Sequence, residues 1–387
     1  MNFFKNVEIA SKYNISQATV VKWIQDSNSN KNNLQLITYN KKLRVIDNEH
    51  NHAELTRLSL EGQKFRTTSS FIKTQPHPDF YKIFDIEEQI EIINDLRYRK
   101  EVNLKFYYKN GGAQMWDEDY KTSGSEMLTA AQSMLNISID DLSYLTQNKR
   151  INLIDMGCGN GHHAKILIDQ FQLSKYIAID ISNEMLELCK NNILSWQPQL
   201  DFSKYVCDIE SSRFGKIFLD NHDKDILNLV LFIGGTICNT NDRVRILKNF
   251  ASGLLADDVL VFNYSLDSVK SRSEFNLARI GEEGVARAWI ITTLGIDVEN
   301  CEVEVAFDPV EKCKIKSLIL DKDYNISFQL NGKVEEVNLK KGEKITRWKH
   351  FLLTHDLVFN EIQQANLEVQ FMKVVGDHSL IAVKQKT

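Results

Sequence analysis

Ile151-Asn-Leu-Ile-Asp155-Met-Gly157-Cys-Gly159-Asn-Gly161 is the stretch that decides the fold. It reads as a buried strand closed by an acid, then a turn built on three alternate glycines, then the start of a helix. Glycines at this spacing let the backbone turn tightly and approach a ligand closely. The helix that follows aims unpaired N–H groups at that ligand. A second strand, Tyr176-Ile-Ala-Ile-Asp180, ends in another acid about twenty residues beyond the loop, where a carboxylate accepts from a ribose diol.

Working outward, Tyr205-Val-Cys-Asp208-Ile209 and the apolar run Ile226-Leu-Asn-Leu-Val-Leu-Phe232 continue a βαβαβ progression. Polar groups gather at the carboxyl ends of the strands, where open α/β sheets bind ligands. The expected fold class is α/β, with a Rossmann-like sheet. A dinucleotide fingerprint is Gly-x-Gly-x-x-Gly. Here Gly-x-Gly-x-Gly follows an acid two residues upstream, which suits S-adenosylmethionine better. A lone glycine loop is weak evidence, and the order of the segments strengthens it.

The 387 residues suffice for two or three domains, and 43% hydrophobic content is ordinary for a globular protein. No apolar run approaches the length of a membrane span, and the N-terminus lacks the apolar region of a signal peptide. Six scattered cysteines (158, 189, 207, 238, 301 and 313) form no Cys-x-x-Cys pair. They read as buried thiols of a cytoplasmic protein, with no metal site expected. His162-His163 has no third ligand at an obvious spacing and reads as incidental.

Net charge is −5, spread unevenly: residues 1–73 carry +5 and the remainder −10. A basic module on an acidic body points to a polyanion partner for the first segment alone. Within it, residues 6–26 suggest two short helices joined at Asn14, the second capped by Ser16. Ile9, Ala10, Ile15, Ala18, Val20, Val21 and Ile24 would pack them together. Ser16, Gln17, Thr19, Lys22 and Trp23 would then form the outer edge. Two strands, Leu34–Tyr39 and Lys42–Ile46, follow. The whole resembles a winged helix-turn-helix of the MerR or excisionase type. The resemblance implies contact with double-stranded DNA through Ser16, Gln17, Thr19, Lys22, Lys41, Lys42 and Arg44, and a homodimer. Such shapes also serve as interaction modules.

Four regions follow: 1–72, the winged module; 73–150, a helical segment capping the cofactor site; 151–270 with 355–387, the cofactor-binding core; and 271–354, a substrate-binding insertion. Residues 272–294 read as helical. From Cys301 the period changes to two, and Asn331-Gly332 between alternating runs signals a hairpin. A last hairpin spans 367–375 and 380–384, turned at Gly376-Asp377.

Taken together, the motifs resemble the histidine-specific Nα-methyltransferase family of ergothioneine biosynthesis. The likeness covers roughly residues 100–387. It rests on Tyr108-Lys-Asn-Gly-Gly112-Ala-Gln-Met-Trp116-Asp, Asp155-Met-Gly157-Cys-Gly159 with Lys165, Asp180, Asp208-Ile209, and above all Phe232-Ile-Gly234-Gly-Thr-Ile-Cys-Asn239. The resemblance implies a class I S-adenosylmethionine-dependent methyltransferase. Tyr108, Gly157, Lys165, Asp180, Asp208 and Ile209 would hold the cofactor together with Asp155, Gly159 and Gly161 of the loop. Gly234 and Asn239 would face a small amine or amino-acid-like substrate. The sequence departs from the family after Gly342-Glu343, where members carry Glu and Ser. Here Thr346-Arg-Trp348-Lys-His350-Phe stands instead, so Trp348 and His350 would line an altered pocket.

No catalytic nucleophile is expected, because methyl transfer is an in-line displacement. A competing reading is a DNA-binding regulator whose methyltransferase-like domain senses a ligand. Methylation of nucleic acid ranks below it, because Phe232-Ile-Gly-Gly replaces the Asn/Asp-Pro-Pro-Tyr signature of base amino-methyltransferases. A protein acceptor is the remaining alternative.

Overall fold

The computed structural model describes residues 3–13, 15–29, 31–39, 42–66, 71–123, 126–147, 149–210, 212–223, 225–273, 276–279 and 288–386. The chain divides into two compact units, Met1–Phe71 and Ile72–Thr387.

In the first unit, helices Asn6–Lys12 and Gln17–Asn28 precede an antiparallel pair, Leu36–Tyr39 with Lys42–Val45, and a helix at Glu49–Arg66. Ser16 caps the second helix, its Oγ accepting from Thr19 N at 3.1 Å. The core gathers Ile9, Val20, Trp23, Ile24, Val45 and Leu55. Two expectations fail here. Trp23, expected at the outer edge, is only 9% exposed, whereas Ala18 and Val21, expected inside, face outward. Helical period explains both: Val20, Trp23, Ile24 and Ser27 form one buried stripe, and 18, 21, 22 and 25 fall on the opposite side. The turn at Asn14 and the candidate DNA contact Lys41 lie outside the described residues.

The second unit is built on a seven-stranded sheet: β1 (Ile151–Met156), β2 (Leu173–Asp180), β3 (Asp201–Val206), β4 (Leu227–Phe232), β5 (Val259–Ser265), β6 (Leu367–Val375) and β7 (His378–Gln385). The order is β6-β7-β5-β4-β1-β2-β3, and only β7 runs antiparallel to its neighbours. Every residue of β1, β4 and β5 is buried. That burial is why these strands read as continuous apolar runs. Alternation still sorts their side chains between two cores. Leu153, Tyr176, Ala178, Leu229 and Val261 pack on one face, while Ile154, Ile177, Val230, Phe232 and Phe262 pack on the other. Strand order reverses between β1 and β4, opening a crevice at their carboxyl ends.

A second layer of strands follows. Lys344–Phe351, Cys313–Ile319, Glu302–Asp308 and Asn276–Arg279 form one antiparallel sheet. Lys333–Leu339 and Tyr324–Leu330 pair antiparallel in another, which Ile72–Thr74 joins in parallel. Asn331 and Gly332 both take positive φ, as a two-residue hairpin turn of this kind requires. The stretch read as helical over 272–294 is instead a short helix ending at Ser273, the strand Asn276–Arg279, and a helix at Trp289–Thr293. Pairing with Glu302–Val305 decides the strand, and four residues are too few to signal it locally. Among the described residues no helix is long and apolar enough to cross a membrane. None of them form a group of three or more His, Cys, Asp or Glu able to hold a metal ion.

Candidate functional site

The glycine turn follows directly from the packing around it. Gly157, Gly159 and Gly161 all take positive φ. A Cβ on Gly161 would stand 2.9 Å from Cys189 Sγ and 3.1 Å from Ile193 Cδ1, so the turn sits against helix Asn183–Trp196 with no room for a side chain. Gly159 N donates to Asp180 Oδ2 at 3.1 Å, and Ser182 N donates to Oδ1 at 3.0 Å. The loop and the β2 tip therefore hold each other. Burial raises the Asp180 carboxyl to about 6, against the opposing pull of these backbone donors.

The crevice is a cavity of about 520 Å³. Its wall brings together Tyr108, Gly157, Gly159, Asp180, Asp208, Ile209, Gly234, Asn239, Trp348 and His350. Burial and the neighbouring Asp180 push the Tyr108 phenol up, keeping it protonated. Asp208 Oδ1 accepts from Glu210 N at 2.9 Å, and Oδ2 from Lys105 at 3.1 Å. Lys105 also pairs with Glu91.

Three expected residues lie off this wall. Lys165 pairs with Asp169 and rests over the Trp196 ring, 5.6 Å from its centroid. Gly161 backs onto the helix. Asp155 is wholly buried, accepting from His163 Nε2 at 2.9 Å and from the Tyr176 hydroxyl. For Lys165 the reason is local: His162–Ala164 form a tight 3₁₀ turn before the helix Lys165–Gln170 begins, which changes the phase of every side chain after the loop. The same turn splits the histidine pair. His162 packs against the Tyr120 ring at a tilt and against Trp196 edge to face, while His163 joins the cavity wall. The reading of the pair as incidental did not anticipate this place for His163.

At the opposite end, Trp348 and His350 lie on one face of a strand, their rings 5.2 Å apart and nearly parallel. His350 Nδ1 lies 3.0 Å from Asn239 Oδ1, and Nε2 lies 2.9 Å from Ser265 Oγ. Burial first, then Lys314 and His378, lower the His350 pKa to about 3, so the ring is neutral. The amide oxygen can only accept, so Nδ1 carries the proton and Nε2 accepts from the Ser265 hydroxyl. Asn263 on β5 holds the preceding loop, its Oδ1 accepting from Gly234 N and Gly235 N. Sequence reasoning missed Lys105, His163, Ser265, Asn263 and Lys314. Lys105, Ser265, Asn263 and Lys314 reach the site or its loop through partners distant in sequence, and His163 through the 3₁₀ turn.

The candidate DNA contacts form a separate group in the first unit. Ser16, Gln17, Lys22 and Lys42 are exposed, and Thr19 and Arg44 are half-buried. Thr19 Oγ1 is bonded to Ser16 Oγ at 2.9 Å.

A family profile described as "Histidine-specific methyltransferase, SAM-dependent" matches residues 88–371. Solved structures of similar shape include an S-adenosylmethionine-dependent methyltransferase from Clostridium acetobutylicum ATCC 824 (12% identity, 72% of this chain, 100% of that chain, TM-score 0.43). DesVI of Streptomyces venezuelae is another (12% identity, 70% and 98%, TM-score 0.41). A third is the magnesium protoporphyrin IX methyltransferase of Synechocystis PCC 6803 with bound SAH (9% identity, 73% and 98%, TM-score 0.42). No curated protein matches in sequence. These structural likenesses are too distant to carry a substrate.

Proposed function

The chain belongs to the histidine-specific, S-adenosylmethionine-dependent methyltransferase family, and from that premise we propose that it methylates the nitrogen of a small amine or amino-acid-like substrate. The observation that carries this reading is that Asp180, Asp208 and the glycine loop share one cavity with Asn239, Trp348 and His350. The residues present fit the cofactor: a buried carboxylate at a strand tip for the ribose, a second carboxylate one strand over for the adenine amine, and a glycine-rich turn at the tip of the strand on the other side of Asp180.

Bound there, the cofactor supplies an electrophilic methyl group on a sulfonium. The rest falls to the chain's own groups. An in-line displacement needs the nitrogen aligned and water excluded, which the aromatic wall of Trp348 and His350 favours. Asn239 Nδ2, bonded to no described residue, can donate to a polar substrate. The nitrogen attacks through its free lone pair, so the amine reacts as its neutral form after giving its proton to solvent; His350 orients Asn239 and takes no proton, because its lone pair is committed to Ser265. Where the family resemblance anticipates Glu and Ser, Trp348 and His350 favour a substrate with a less polar side chain than histidine.

The test is incubation of purified protein with S-adenosylmethionine and pooled amines and amino acids, followed by mass spectrometry. We expect a product heavier by one or more methyl groups. Cofactor binding with no product from any pool would defeat the assignment and favour a ligand sensor.

We further propose that the first unit contacts duplex DNA, on the strength of the exposed Gln17, Lys22 and Lys42 and the +5 charge of residues 1–73. Anisotropy with a labelled duplex should show affinity falling at least about tenfold between 0.05 and 0.2 M salt, and Lys22→Glu should remove most of it. Binding indifferent to salt would exclude the phosphate contacts this reading requires.

A further inference from the structure

Behind the glycine turn runs a buried polar chain that the proposed function leaves unused. His163 is only 4% exposed, yet it forms part of the cavity wall. Its Nε2 meets Asp155 Oδ1 at 2.9 Å, and Asp155 is fully buried at the end of β1. The other Asp155 oxygen accepts from the hydroxyl of Tyr176, itself fully buried on β2. Cys189 closes the chain, its Sγ 3.7 Å from that hydroxyl. The ring is thus clamped from behind by a carboxylate that has a second anchor of its own.

We infer that His163, and not the Lys165 that the resemblance counted among the cofactor's holders, receives the amino-acid head of S-adenosylmethionine. Two observations carry this. Lys165 turns away to Asp169 and Trp196, so it offers no charge to the cavity. His163 stands on the wall beside Gly157, Cys158 and Gly159, the loop that also donates to the ribose-side carboxylate Asp180. With Nε2–H donating to Asp155, the ring presents Nδ1, to which no described residue hydrogen-bonds. That atom accepts from the ammonium when the ring is neutral and donates to the carboxylate when it is protonated. Both groups belong to the same zwitterionic head. Asp155 and Tyr176 act as positioning residues, fixing the ring's rotation so that Nδ1 needs no reordering on binding.

The inference rests on reading the cavity as the cofactor site, and the experiment separates the two. Full-length protein is titrated calorimetrically with S-adenosylhomocysteine, which carries the head, and with 5′-methylthioadenosine, which lacks it. If wild-type protein binds neither, the cavity reading fails and the inference with it. If it binds both, His163→Ala should weaken S-adenosylhomocysteine by about tenfold or more and leave methylthioadenosine within about twofold. Asp155→Asn, which loosens the clamp while keeping the shape, should move the same ratio in the same direction. A merely structural histidine would weaken both ligands together, so an unchanged ratio overturns the inference. Should the alanine variant fail to fold, His163→Leu is read by the same pair of ligands against the same criterion.

Discussion

Asp180→Ala is expected to raise the dissociation constant for S-adenosylmethionine by about a hundredfold or more, measured by calorimetry at neutral pH. The expectation follows from what the carboxylate does. Two charge-assisted hydrogen bonds to a ribose diol are together worth about 3 kcal/mol, and each 1.4 kcal/mol is a factor of about ten. The side chain also holds the turn, through Gly159 N and Ser182 N, so its loss loosens the loop as well. Asp180→Asn keeps one acceptor and should fall between. A pH dependence accompanies this. Burial raises the Asp180 pKa from 3.8 to about 6, so the unliganded native state holds more protons than the unfolded chain between those values. Its contribution to stability is fully present below about pH 4 and is lost as pH rises through about 6. Cofactor affinity should run the other way, climbing from pH 5 to 7 as the carboxylate ionises, and the climb should vanish in Asp180→Ala. An affinity unmoved by the substitution would remove the basis for placing the nucleoside at this strand tip.

That site was legible in the sequence because its parts are local. A strand buried on both faces writes itself as an unbroken apolar run, and the glycines at its end mark the turn that follows. What lay beyond local reading was the phase after the loop. One 3₁₀ turn at His162–Ala164 is enough to move the cavity-facing position from Lys165 to His163. The same holds for Asp155: its acid at a strand end was plain, but its commitment to His163 and Tyr176 depends on β2 lying beside β1. In the first unit the second helix was recognisable from Ser16, yet its inward stripe was set by the hairpin and by Leu55, both distant in sequence. Trp348 and His350 stood out where the segment departs from the family pattern, and alternation along the strand puts them on one face. Their union with Asn239 and Ser265 required contacts across 111 and 85 residues.

That union carries the second large effect. Asn239→Ala is expected to lower kcat/KM for the amine substrate by about a hundredfold while moving S-adenosylhomocysteine affinity by less than about threefold. The amide is held from behind by His350, so it meets the substrate already oriented, and a misplaced or absent donor costs rate as well as binding. His350→Ala should reproduce much of the loss with Asn239 intact, because the asparagine is then free to rotate. The pH profile distinguishes orientation from proton transfer. A ring with a pKa of about 3 stays neutral from pH 5 to 9 and contributes no limb to the rate profile in that range. His350→Ala should therefore depress the whole profile without moving its inflections. Loss of an acidic limb in that variant would mean that the histidine takes the amine's proton. The buried Asn239–His350–Ser265 chain would then be a relay, and the proposed restriction of His350 to a positioning role would fall.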